Sequence, residues 1–140
     1  MSRNTLYSHE ISLRTRYGET DQMGIIYHAN CLKYMEMGRI EWLRSLGVSY
    51  RDLEEQGWLL PVIKAEMDFK KSAYYDECLL VRTYLLQMPL VRISFGYEIL
   101  NEKEELLVEA KTTLAFMDKS TFSPVRCPDF LMEKLKAQQS

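Results

Sequence analysis

From Tyr7 to Tyr17 the odd positions read Tyr, His, Ile, Leu, Thr, Tyr, and the even positions between them read Ser, Glu, Ser, Arg, Arg. Side chains of an extended chain point alternately to opposite faces, so this period of two predicts a half-buried strand. Gly18 to Gly24 breaks the alternation with two glycines and polar residues and predicts a loop. From Asn30 to Leu46 the period changes to that of a helix. Cys31, Tyr34, Met35, Gly38, Trp42 and Leu46 fall on one face, while Lys33, Glu36 and Arg44 point elsewhere. Asn30 stands where an N-cap is expected, and Gly47 where a helix commonly ends in a left-handed residue. A glycine at position 38 costs about 1 kcal/mol of helix propensity relative to alanine. The reason expected for Gly38 is steric: it lets the helix backbone approach a sheet closely. A short helical turn is predicted over Tyr50–Gln56.

Four further strands follow. Leu59, Ile63, Ala65, Met67 and Phe69 alternate with Lys64, Glu66, Asp68 and Lys70. Residues 79–88 are nearly all apolar, which predicts a central strand covered on both faces. Alternation returns over 91–99 and over 106–116. The connections at Met88-Pro89 and Asn101 to Glu104 are short enough for hairpins, so the last three strands are expected to form a meander. Pro128 stands near the first position of a terminal helix that runs to Ala137. The order predicts an α+β domain in which a five-stranded antiparallel sheet wraps around a long central helix. One long helix cannot cover all of that sheet. Edge-to-edge pairing with a second copy is therefore expected, giving a dimer or larger assembly.

Composition narrows the function classes. The 140 residues form one domain spanning 1–140, and a fold of that size hides roughly two-thirds of its unfolded surface without needing disulfides or a structural metal. Lys and Arg number 18 against 20 Asp and Glu, and the charges are interspersed. Nothing builds the basic stripe that binding to nucleic acid requires. Cys31, Cys78 and Cys127 are far apart and form no C-x-x-C, so neither a disulfide framework nor a cysteine zinc site is expected, and a reducing cytoplasm fits. Residues Met1 to Thr5 run directly into alternating sequence without the apolar stretch of a signal peptide. Apolar runs elsewhere are far shorter than the roughly 20 residues that span a bilayer. The motifs G-x-S-x-G and H-E-x-x-H and a Gly-rich phosphate loop are all missing, which removes the commonest α/β-hydrolase, zincin and NTPase readings.

Chemistry concentrates between the first strand and the helix. That segment brings a carboxylate, Asp21, and a histidine, His28, to a helix N-terminus, where free N–H groups and the positive dipole end favour developing negative charge. Acyl transfer needs an oxyanion stabiliser and either a nucleophile or a base that activates water. The helix start offers the first and Asp21 the second, while Gly24 lets backbone or substrate pass closely. On spacing alone Asp21 is more often a turn residue and His28 more often a satisfied structural group, and it is the resemblance that follows which points both to chemistry.

The run Arg16-Tyr17-Gly18-Glu19-Thr20-Asp21-Gln22-Met23-Gly24-Ile25-Ile26-Tyr27-His28-Ala29-Asn30, followed by Tyr34-Met35-Glu36, Arg39, Glu41 and Gly47, resembles the signature of hotdog-fold acyl-CoA thioesterases. It is most similar to the 4-hydroxybenzoyl-CoA thioesterase-like group, in the branch associated with the Tol-Pal system. The resemblance implies an acyl-CoA substrate, no cofactor and no metal, and a homodimer or homotetramer with active sites at the subunit interface. It implies Asp21 as catalytic carboxylate, acting as nucleophile or as general base, and places His28 where a backbone N–H polarises the thioester carbonyl. His28 and Tyr17 side chains are implicated too, with Gly24 and Tyr27 beside the substrate. Lys70, Lys71 and Arg126 are candidates for the CoA phosphates, which need cationic partners. Cys31 departs from the aromatic residue that many relatives carry at the helix start, and a smaller side chain there reshapes the acyl pocket. Two alternatives stay open: an acyl carrier protein thioesterase of the same fold, and a non-catalytic module that binds acyl-CoA or a partner.

Overall fold

A computed structural model describes residues 7–139 of the chain, so the reading of Met1 to Thr5 lies outside the described residues. Strand β1 (Ser8–Arg14) is followed by a single 3-10 turn, Tyr17–Glu19, and by helix α1 (Asn30–Ser45) and helix α2 (Tyr50–Glu55). Then come β2 (Trp58–Leu59), β3 (Val62–Phe69), β4 (Cys78–Leu85), β5 (Arg92–Leu100), β6 (Leu106–Ala115), β7 (Met117–Asp118) and helix α3 (Asp129–Gln139). Five strands form one antiparallel sheet in the order β1-β4-β5-β6-β3, and β2 pairs with β7 in a separate ribbon.

The first strand is shorter than its alternation predicts. After Arg14 the Thr15 hydroxyl donates to the Tyr74 carbonyl (2.6 Å) and accepts from the Glu77 amide (2.9 Å), which turns the chain off the sheet. The expected single strand over 59–69 is two strands. Pro61 has no N–H to give a ladder, so β2 ends before it and β3 begins after it. The meander β4–β5–β6 forms as expected and β4 is an interior strand between β1 and β5, but it is not covered on both faces: Cys78, Leu80 and Arg82 are half-exposed on the outer one. Met88-Pro89 still joins the first pair of those strands.

Helix α1 has 16 residues and packs chiefly on β1 and β4. Its one buried face meets the sheet at Trp42, Met35 and Leu43, and the Trp42 ring stands edge-on to Phe95 at 4.8 Å. A Cβ built on Gly38 would lie 2.5 Å from the Thr83 hydroxyl oxygen and 3.0 Å from a Val81 methyl, so close approach is the reason for that glycine. Gly47 at φ +83° ends α1 in a Schellman motif: Val48 N–H donates to Leu43 O and Gly47 N–H to Arg44 O. Asn30 is not the N-cap. It is the first helical residue, preceded by Ala29 in helical conformation, and its side chain is engaged elsewhere.

Coverage of the sheet is unequal. On its outer face Arg82 bridges Glu10 (2.6 Å) and Glu98 (2.8 Å), an ion-paired row suited to water. On the inner face β4, β5 and β6 present fully buried residues such as Val81, Phe95 and Leu114. Strand β3 is open on both faces, with Val62, Ile63 and Phe69 all largely exposed.

Candidate active site

Loop 17–29 is folded by its own polar groups. The Thr20–Ile26 and Ile25–Tyr74 bridges close its base against the β3–β4 connection. At its tip the Asp21 Oδ1 accepts from the Met23 amide (2.8 Å), and Gly24 N–H donates to the Asp21 carbonyl (3.0 Å). Gly24 has φ +79° and nothing within 4 Å of the position a Cβ would occupy. Its role is therefore the left-handed turn. The turn reading of Asp21 is realised through one carboxylate oxygen. The other has no hydrogen bond to a described residue, which leaves it available to water or substrate.

Asp21 and His28 line one cavity of about 270 Å³. Its walls include Ile26, Cys31, Tyr34, Phe69, Leu79 and Leu107, and Lys70 and Lys71 line it as well. The His28 ring lies 6.0 Å from the Phe69 ring, edge to face. At this end α1 has no side-chain cap, and no backbone carbonyl among the described residues accepts from the His28 or Ala29 amides. Uncapped donors at a helix start aim positive charge at whatever occupies the space before them.

Of the other predicted residues, Tyr17, Gly24, Tyr27 and Arg126 do not line this cavity. Tyr17 is 76% exposed, edge-on to Tyr75 at 5.6 Å, and does not line the cavity. Tyr27 packs beside His28 with ring centroids 4.5 Å apart and planes tilted by 51°, and is about half exposed. Lys71 forms an ion pair with Glu105. Arg126 lines a different cavity, with Trp58, Glu54 and Asp118.

Two residues of the site escaped the sequence reading. Tyr34, assigned to the helix core, also lines the cavity, and its hydroxyl donates to Glu19 at 2.7 Å. Glu19, a second carboxylate of the loop that the sequence reading left without a role, is 8% exposed. Burial pushes its carboxyl up, but hydrogen bonds from the Arg16 amide, the Tyr34 hydroxyl and the Arg16 guanidinium outweigh it, and the net shift is down. The same contact, with burial as the larger cause, drives the Tyr34 phenol far above its usual range. Cys31 is buried in the cavity wall, and burial pushes its thiol up to about 11.

Comparison with known proteins gives this cavity a context. The sequence pattern of the thioesterase-like superfamily matches residues 15–135. The protein named "Putative acyl-CoA thioesterase YneP" in Bacillus subtilis (strain 168) is 39% identical over 114 residues, 81% of this chain and 83% of its own. Acyl-CoA thioesterase YbgC of Haemophilus influenzae is 30% identical over 117 residues, 83% of this chain and 85% of its own. The crystal structure of DHNA-CoA thioesterase from Staphylococcus aureus superposes with a TM-score of 0.87 at 36% identity, covering 94% of this chain and 91% of that one. With the sequence pattern, the identities and the superposition in agreement, the chain belongs to the thioesterase-like superfamily and is a hotdog-fold thioester hydrolase.

Proposed function

We propose that the chain hydrolyses acyl-CoA thioesters to free acid and CoA in the cavity between loop 17–29, the start of α1 and the β3–β4 connection. The observation that carries this is the joint lining of one apolar-walled cavity by Asp21 and by His28 at an uncapped helix start. The acyl group lies among Ile26, Cys31, Tyr34, Leu79 and Leu107, with its carbonyl oxygen toward the His28 amide. The unengaged oxygen of Asp21 either attacks the carbonyl carbon, expelling CoA thiolate and leaving an anhydride for water to open, or takes a proton from an attacking water. In both routes negative charge grows on the carbonyl oxygen, where helix-start N–H donors stabilise it. His28 orients the acyl group by its ring and Lys70 and Lys71 meet CoA phosphates at the cavity edge.

The active assembly is a homodimer or higher homo-oligomer in the cytoplasm. The bare strand β3 supports this, because an edge with free ladder groups and exposed Val62, Ile63 and Phe69 is a surface for pairing. Three free cysteines support a reducing compartment.

The test is CoA release, followed with a thiol-reactive dye, from short-chain, long-chain and aromatic acyl-CoAs and from an acylated carrier protein, with Asp21→Asn in parallel. Turnover of a CoA ester that collapses in the variant supports the proposal. Faster turnover of the carrier ester moves the carrier-protein reading ahead, and binding without release from any substrate favours the non-catalytic module. Sedimentation of the wild type and of Ile63→Lys tests the edge: the variant is expected to fall apart into monomers.

A further inference from the structure

Glu19 lies two residues before Asp21, yet it does not line the cavity. It is nonetheless the most connected residue of the loop. Its Oε1 accepts from the Arg16 amide (2.8 Å) and the Tyr34 hydroxyl (2.7 Å), and its Oε2 accepts from the Arg16 guanidinium (3.3 Å). Its backbone carbonyl accepts from the Tyr27 amide (2.8 Å) and from the Asn30 side-chain amide (2.8 Å). Burying a carboxylate is costly unless its oxygens are hydrogen-bonded, and here they are, by Arg16 at the loop entry and Tyr34 on the helix, while the backbone carbonyl of the same residue holds the loop exit.

The positions of these partners matter. Tyr34 is one turn into α1 and Asn30 is its first residue, while Arg16 starts the 3-10 turn that leads to Asp21. Tyr27 immediately precedes His28. One residue thus ties the entry of the loop, its exit and the helix it abuts. The carboxylate at the loop tip and the amide donors at the helix start must address the same thioester carbonyl, and displacements of about 1 Å in such arrangements cost on the order of 100-fold in rate.

We infer that Glu19 is the positioning residue of the site, fixing Asp21 relative to the His28 and Ala29 amides through its bonds to Tyr34 and across the loop. The inference rests on the acyl-CoA thioesterase reading for its catalytic arm only.

Hydrogen exchange and steady-state kinetics on Glu19→Gln, Tyr34→Phe and the double variant test it, with Tyr50→Phe as a control away from the cavity. A glutamine keeps one acceptor oxygen but turns an NH2 group toward the Arg16 guanidinium. In Glu19→Gln the amides of residues 21–28 are expected to exchange about tenfold faster while those of β4–β6 stay protected. The expected kcat falls roughly 10- to 100-fold with KM changed less than about threefold, and the double variant is no slower than the worse single variant. Tyr50→Phe is expected to lower Tm while leaving loop exchange and kcat unchanged. Unchanged kcat in Glu19→Gln, additive losses in the double variant, or exchange that quickens evenly across the chain overturns the inference. If the wild type releases no CoA, the thioesterase reading falls instead. The exchange measurement then decides Glu19 alone: acceleration confined to the loop upholds its positioning role, and any other pattern overturns it.

Discussion

Helix α1 is anchored by two buried polar clusters of different character. At its start Glu19, Tyr34 and Asn30 join the helix to loop 17–29, and Tyr34 reaches the cavity wall. Two turns further along, Arg39, 5% exposed, donates to the Tyr50 hydroxyl (2.9 Å) and the Tyr97 hydroxyl (3.2 Å), and Tyr97 shares a bond with Thr112 (2.5 Å). Arg39 lines none of the cavities described above. Burial works against its charge, but the two tyrosine oxygens outweigh it and hold the guanidinium above its ordinary range. Both clusters contain a buried charge, so burial and a shifted pKa do not by themselves separate site from scaffold. What separates them is adjacency: one set of bonds ends on the residues that bracket a cavity, the other closes on itself between helix and sheet.

The two clusters are expected to respond oppositely to substitution. Asp21→Asn is expected to cut turnover by roughly 1000-fold or more while Tm stays within about 2 °C, since the residue is half-exposed at a loop tip. Arg39→Met is expected to do the reverse. It leaves tyrosine hydroxyls without their donor at a cost of about 1–3 kcal/mol, seen as a Tm lower by several degrees, with kcat unchanged below the transition. Loss of kcat without loss of Tm in Arg39→Met would erase the distinction.

Acid sharpens it. The Glu19 carboxyl titrates below the ordinary carboxylate range in the fold, so its stabilisation is complete above that range and fades as pH falls through the lower folded value. The hydrogen bonds around Arg39 involve no carboxylate, and Glu36 acts on Tyr50 there only through its charge. Hydrogen exchange measured from pH 5 down to pH 3 is expected to show loop 17–29 opening before β4–β6. The smallest effect concerns Cys31. With its thiol pushed up to about 11, it stays protonated near neutrality and reacts slowly with iodoacetamide, behind the half-buried Cys78. Cys31→Ala is expected to keep turnover within about threefold; a loss as large as that of Asp21→Asn would assign the nucleophile to the thiol.

Much of the architecture was legible in periodicity. The alternation over 91–99 and 106–116 became β5 and β6 almost residue for residue, and the apolar face from Cys31 to Trp42 became the buried face of α1. The misreadings have local causes. Pro61 interrupts an alternation that otherwise runs through 59–69, and Asn30 has the side chain of an N-cap but spends it on the Glu19 carbonyl. Within the site, Asp21 and His28 stood out because a carboxylate and a histidine precede a helix by chemistry that can be read in order. Glu19 and Tyr34 did not, because their pairing spans 15 residues of sequence and exists only once the loop folds back on the helix.

What the sequence alone determined is therefore what depends on neighbours along the chain: the periods of strands and helix, the turn at Gly47, the need for a small residue at Gly38, and the pattern that marks the family. What the tertiary structure decided depends on neighbours in space. It left the outer face of β4 and both faces of β3 open, and turned a loop glutamate into a buried anchor. Side-chain burial and hydrogen-bond partners are properties of packing, and packing is set by pairings that no local period encodes.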